Sequence, residues 1–346
     1  MGKHHAPLVE TIEIQPSRRD IRNMALVMAA LAVFVIAMIA SYSGAFAKPT
    51  LHHLNVAIAA PQQLVDGVRG QDALGVTQVV DAAAARDQVF QRKTDAAFAI
   101  DAPGHLDIYV AGGGGRSVAA AAETVGRGIA AEAGLTADVT DVAPTNAADP
   151  QGTVVFYAVI FLSIGASVGA TIFGRMMGNV HKLSTFAWRT LSLVAYSLVL
   201  AGGVTLYVDV ILGALTGHTW LVFGALFVYA MAVAGAVTGV AAAFGTVASA
   251  ALTAFLVIIG NAAAAGPVGK PLLSGFYTTF NAIVPQGSGV ALLRSVEYFG
   301  TNGAASSLAT LLAWAAAGCV LAFGATMIRS GTFRKHLTLR AGTRAC

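Results

Sequence analysis

The chain has 346 residues, 56% of them hydrophobic and 11% charged, with a formal net charge of +4 and a mean hydropathy of +0.70. That balance excludes a water-soluble globular enzyme of this length, which needs far more charged surface. Membrane lipid, and not nucleic acid, is the partner the composition implies.

The N-terminal tail, residues 1–23, carries Arg18, Arg19 and Arg22 just ahead of the first apolar run, 24–47. A spanning helix needs roughly 20 apolar residues, because the hydrocarbon core is about 30 Å thick and a helix rises about 1.5 Å per residue. This run meets that length. Ala45-Phe46-Ala47 has the small-residue pattern of a signal-peptide cleavage site. The run is longer than a secretory apolar region and its leader is long, so a retained anchor is expected.

Residues 48–152 alternate strand and helix patterns. Strands are expected at Leu54–Ala59, 78–81, 95–100, His105–Val110 and 138–142, and helices at 62–70, 82–93 and Arg116–Ala133. Asp101-Ala102-Pro103-Gly104 is a turn signal between two of the strands. The result is a small α/β domain tethered at both ends to membrane helices. Gly112 to Gly115 lacks the Lys-Ser/Thr of a phosphate loop and the spacing of a dinucleotide fingerprint, so it reads as a strand-to-helix turn. His52, His53 and His105 have no acidic or cysteine partner at ligand spacing and read as solvated. Cys319 and Cys346 are the only cysteines, so neither a zinc ligand set nor a disulfide is expected in this domain. No cofactor is expected on this chain.

Four apolar runs follow within 153–264 (154–174, 190–212, 220–244 and 246–264), and a sixth lies at 305–328. Only Gly245 separates the fourth run from the fifth, which predicts a tight turn. The fold class is therefore membrane all-α, six transmembrane helices arranged one plus five, with an inserted extracytoplasmic α/β domain. Basic residues mark the cytoplasmic side. Arg18, Arg19 and Arg22, then Arg175, Lys182 and Arg189, then the tail 329–346 with Arg329, Arg334, Lys335, Arg340 and Arg344 all fall on one side. A multi-pass plasma-membrane protein with both termini cytoplasmic follows.

The spans are nearly free of ionisable groups, whereas an internal proton or ion path normally requires them. Asp209 is the exception. Counted from residue 190 it lies about 28 Å along its helix, near the headgroups and not mid-bilayer. Gly165 and Gly169, and Gly235 and Gly239, stand at helix-packing spacing, with packing inside one subunit the default and dimer contact the alternative. Gly266-Pro267-Val268-Gly269-Lys270 is a poor copy of an ATP-binding loop and is followed by Pro271. A motor, if there is one, is a separate chain.

Residues 265–304 are too apolar for a solvated loop. Residues 272–283 and 289–299 are expected to form short amphipathic helices, broken at Pro285-Gln286-Gly287, lying at the interface or re-entering the bilayer. Arg294 and Glu297 share a face of the second helix. The pattern Pro271, Gly275-Phe276, Ile283-Val284-Pro285-Gln286-Gly287-Ser288-Gly289-Val290, Leu293-Arg294 and Tyr298-Phe299 resembles the segment before the last span of ABC-2-type transporter permeases. More narrowly it is similar to their YhgE/Pip or DUF3533-like branch, whose one-plus-five layout with a large insert it shares.

The resemblance implies half of an exporter, paired as a homodimer or heterodimer and driven by a separate ABC ATPase subunit that carries the ATP. It implies that the loop carrying Arg175, His181, Lys182 and Arg189 couples to that ATPase. It also implies that Pro271, Phe276, Pro285, Gly287, Arg294, Glu297 and Tyr298 form an outer gate or re-entrant segment. The coupling loop departs from better-characterised permeases in lacking an Arg-Glu-x-x-x-Gly-Thr-like run. A cargo that is hydrophobic or amphiphilic suits spans without buried charge. The alternative is a non-transporting scaffold, receptor or accessory component of a secretion system. An enzyme is not expected, because no nucleophile or carboxylate pair stands at membrane depth.

Overall fold

The computed structural model describes residues 17–176 and 183–330. Among the described residues, six helices are long and apolar enough to cross a membrane: Arg18–Phe46, Val154–Met176, Ser184–Ile211, Thr219–Phe244, Thr246–Ala263 and Ala304–Arg329. By length and composition the chain is a multi-pass membrane protein.

Helix α1 (Arg18–Phe46) begins earlier than hydropathy alone places it, because Ser17 and Asp20 form a capping box that nucleates the turn. Most of α1 is exposed, and only Ser41 and Ala45 near its end are buried. The α/β unit follows: β1 (Leu54–Ala59), α2 (Gln62–Arg69), β2 (Leu74–Gln78), α3 (Ala82–Phe90), β3 (Ala96–Ala99), β4 (His105–Val110), α4 (Arg116–Ala133) and β5 (Thr136–Asp141). The sheet order is β2-β1-β3-β4-β5, and only the β3–β4 hairpin is antiparallel. Strand β2 lies upstream of the expected 78–81, since Leu74 and Val76 supply the alternation while Asp81 caps α3 through the Ala84 amide.

Alternation along the strands sorts the two faces. Leu54, Val56, Ile58, Phe98, Leu106 and Ile108 pack under α2 and α4. On the opposite face Ala57, Ala59, Ala97 and Ala99 lie against Ala85 and Val89 of α3. Neither core is private to the domain. The first is continuous with Ala262, Ala263, Leu273 and Tyr277, and the second is closed by Phe299. The domain is thus seated on one end of the helical bundle.

The bundle comprises α5 (Val154–Met176), α6 (Leu183–Thr205) extended by a π-helical turn (Leu206–Ile211), and α7 (Thr219–Phe244). Helix α8 (Thr246–Phe255) then runs through a second π-helical turn (Leu256–Gly260) into α9 (Asn261–Ala263). Helices α10 (Gly275–Ile283), α11 (Pro285–Tyr298) and α12 (Ala304–Arg329) complete it. Asp149 caps α5 with both carboxylate oxygens, accepting from the Thr153 and Val154 amides. Gly245 alone joins α7 to α8 at φ 89°, a conformation that favours glycine. Both glycine pairs are used inside the chain. Gly169 lies under the Tyr196 ring, whose hydroxyl donates to Gly165 O at 2.8 Å. A Cβ on Gly239 would meet Gly318 O at 2.3 Å, so α7 and α12 touch backbone to backbone.

The structure revises the segment before α12. The break falls at Val284, and Pro285 is the first residue of α11, where its missing N–H is not needed. Helix α11 is not a surface amphipath. Its residues from Pro285 to Glu297 are buried with one exception, Ala291, against α5, α7 and α12. Gln286 donates to Ser163 Oγ at 3.2 Å and to Leu256 O at 3.0 Å. Ser163 is nine residues into α5, so the α10–α11 turn lies about 14 Å along that helix at about 1.5 Å per residue.

Candidate functional site

The α/β domain, the α10–α11 hairpin and the start of α12 do not close on one another. Between them lie two connected polar cavities. The inner one, about 170 Å³, is lined by Arg92, Thr94, Asp95, Lys270, Asn281 and Arg294 among others. The outer one, about 450 Å³, shares Arg92, Lys270, Asn281, Gly287 and Ala291 with it and opens past Ser306, Ser307 and Thr310. A site of this size holds a small molecule or headgroup.

Each cation is placed by a different element. Arg92 follows the cap of α3 at φ 57°, a left-handed conformation costing a non-glycine residue about 1–2 kcal/mol. Its guanidinium donates to Ala291 O at 2.7 Å and to Ser295 Oγ, and lies 5.0 Å from the Phe299 ring centroid. Lys270 is exposed in the 3₁₀ turn Lys270–Leu272. Arg294, on α11, is only 5% exposed and donates to Gly266 O at 2.8 Å.

Among the described residues no carboxylate comes within 4.0 Å of Arg92, Lys270 or Arg294. Asp95 is the one acid in the lining, and it accepts the Asn55 amide at 2.9 Å. Asp149 bears on Arg294 electrostatically but its oxygens are engaged at the start of α5. Burial pulls Arg92 down to about 10, opposed by Asp95, so it stays charged at neutral pH. Burial likewise holds the Asp95 carboxyl above the usual carboxylate value, against its Asn55 hydrogen bonds and the pull of Lys270 and Arg92. The cavity therefore has an excess of positive charge. It can bind an anion.

The residues expected as a gate are only partly brought together. Pro271, Gly287 and Arg294 line the cavity. Pro285 lies buried beside it at the α11 start, and Phe276 faces outward from α10. Glu297 turns away from Arg294 and accepts the Gly217 amide at 2.9 Å. Tyr298 packs over Gly113, which leaves no room for a Cβ there. Asp209 sits in the π-helical turn that ends α6, partly exposed.

At the far end of the bundle, Arg175, Arg189 and Arg329 line a crevice of about 100 Å³. Arg189 belongs to helix α6 and not to a loop, because α6 already starts at Leu183. His181 and Lys182 lie outside the described residues. Of the histidines, His52 contacts Thr50 and His105 contacts Asp138.

Arg92, Asp95 and Asn281 carried no signal as site residues. Lys270 did: with Arg294 it is one of two cations in an apolar segment, although it stands in the poor copy of an ATP-binding loop. Comparison of the chain with family models, with curated proteins and with solved structures gives no match.

Proposed function

We propose that the chain is the permease subunit of an ABC-2-like exporter that moves a hydrophobic or amphiphilic compound out of the cell. In this reading it lies in the plasma membrane with both termini cytoplasmic and the α/β domain outside. It pairs with a second permease copy and with a separate ATPase subunit. The observation that carries the reading is helix α11, buried against α5 beneath the α/β domain, with its turn from α10 nearly halfway along α5 and beside a cationic cavity. Irregular backbone at that depth is tolerated only where protein or a polar cavity covers it. A hairpin so placed can gate a path between the domain and the bundle.

Energy must come from elsewhere, since the spans carry no set of ionisable groups suited to a proton path. The basic end formed by Arg175, Arg189 and Arg329 supports contact with a cytoplasmic partner. Affinity purification from native membranes tests this: an ABC ATPase subunit is expected to co-purify, and Lys182→Glu with Arg189→Glu to reduce its recovery. Purification free of any ATPase, together with export indifferent to ATP depletion, would sink the proposal.

A further inference from the structure

We propose that the cavity lined by Arg92, Lys270 and Arg294 binds the anionic phosphodiester headgroup of a membrane lipid entering between α10 and α12. This deepens the reading above and rests on its membrane placement, but not on a motor or on transport.

The argument begins with unpaired charge. A buried cation is normally paired, because desolvating it without a partner is costly. Arg294 is buried, and Arg92 is partly buried in a strained backbone conformation. Among the described residues neither has a carboxylate partner, and Lys270 lines both chambers beside them. Strain and unpaired charge held in place by surrounding structure are features of binding sites. A phosphodiester supplies the missing counter-charge, and its two free oxygens suit guanidinium donors. Asn281, Ser288, Ser306 and Thr310 add neutral hydrogen-bonding groups around the opening.

The shape of the opening selects a lipid over a free ion. Thr310 is six residues into α12, so the outer chamber runs about 9 Å down that helix, at about 1.5 Å per residue. Helix α12 is apolar and long enough to cross a membrane, so at that depth the opening lies beside a span and not in a surface loop. A headgroup inside the chamber leaves its acyl chains on the bilayer side of that opening.

The test uses the full-length chain in nanodiscs without ATP or any partner, so that failure of the export reading leaves it unaffected. Binding of fluorescent phosphatidylglycerol is measured against phosphatidylcholine and inorganic phosphate. Saturable binding that prefers phosphatidylglycerol is expected, weakened at least about tenfold by Arg92→Gln with Lys270→Gln. Arg69→Gln, on the domain surface and matched in charge to Lys270→Gln alone, should leave it unchanged. Lys270→Gln alone, at an exposed position, decides the matter if the double variant does not fold. Equal affinity for inorganic phosphate, no preference over phosphatidylcholine, or the same loss with Arg69→Gln would each overturn the proposal.

Discussion

Single residues set the character of the site. Gln286 illustrates how a polar side chain serves a buried helix: it takes up Leu256 O in the π-helical turn, where the regular ladder is disturbed. Gln286→Ala is expected to lower stability in detergent by about 1–3 kcal/mol, the cost of a buried group left unpaired. A thermal or denaturant melt matching the unmodified chain would contradict that role. Asp95 gives a pH dependence. Its carboxyl titrates above the ordinary 3.8, so lowering the pH through that range removes the one negative charge in the lining. Phosphatidylglycerol keeps its charge over the same interval, and its affinity should therefore rise as pH falls and drop as pH rises. The stability sign agrees. The native state holds this proton more tightly than the unfolded chain, so ionising Asp95 costs stability as pH rises through its folded-state range. Asp95→Asn should flatten the pH profile of binding. Arg92 was not legible as a site residue, because a lone arginine ending a helix reads as solvated. What it contacts on α11 lies about two hundred residues away, at Ala291 and Ser295.

Elements were far more legible, and the reason is turn chemistry. Strands β1 and β4 and helix α4 match the expected bounds because Pro61, the Asp101-to-Gly104 turn and the Gly112-to-Gly115 run punctuate the chain. Helix α11 defeated the same reasoning. Gln286, Arg294, Ser295 and Glu297 make it look half-solvated, yet their partners come from α5, one π-helical turn, Arg92 and neighbouring loops, which no local pattern reveals. Where α7 meets α12, contact depends on the absence of side chains. Gly239→Val would drive a methyl into the Gly318 backbone and is expected to cost at least about 2 kcal/mol. Gly203→Ala, on α6 with open space around it, should be neutral or stabilising by up to about 1 kcal/mol. Equal melting of the two variants would show that close packing of α7 on α12 does not support the fold.

On the scale of the molecule, the chain is a bundle of apolar helices with an α/β unit seated on one end and a helical hairpin pushed into it from that end. Hydropathy revealed the spans, and charge placement suggested which end faces the cytoplasm. The joint between domain and bundle was invisible in the sequence. It is built from apolar cores shared across it and from single hydrogen bonds between distant segments, such as Ser117 to Pro267 O and Asn302 to Phe90 O. That joint encloses the cationic cavity, and the cavity is where the exporter reading and the headgroup reading meet. The most direct measurement is ATP-dependent movement of fluorescent phosphatidylglycerol in inverted vesicles from the native membrane, comparing the unmodified chain with Arg92→Gln, Lys270→Gln. The account predicts movement that requires ATP and is lost in the double variant. Movement indifferent to both ATP and the two substitutions would contradict it.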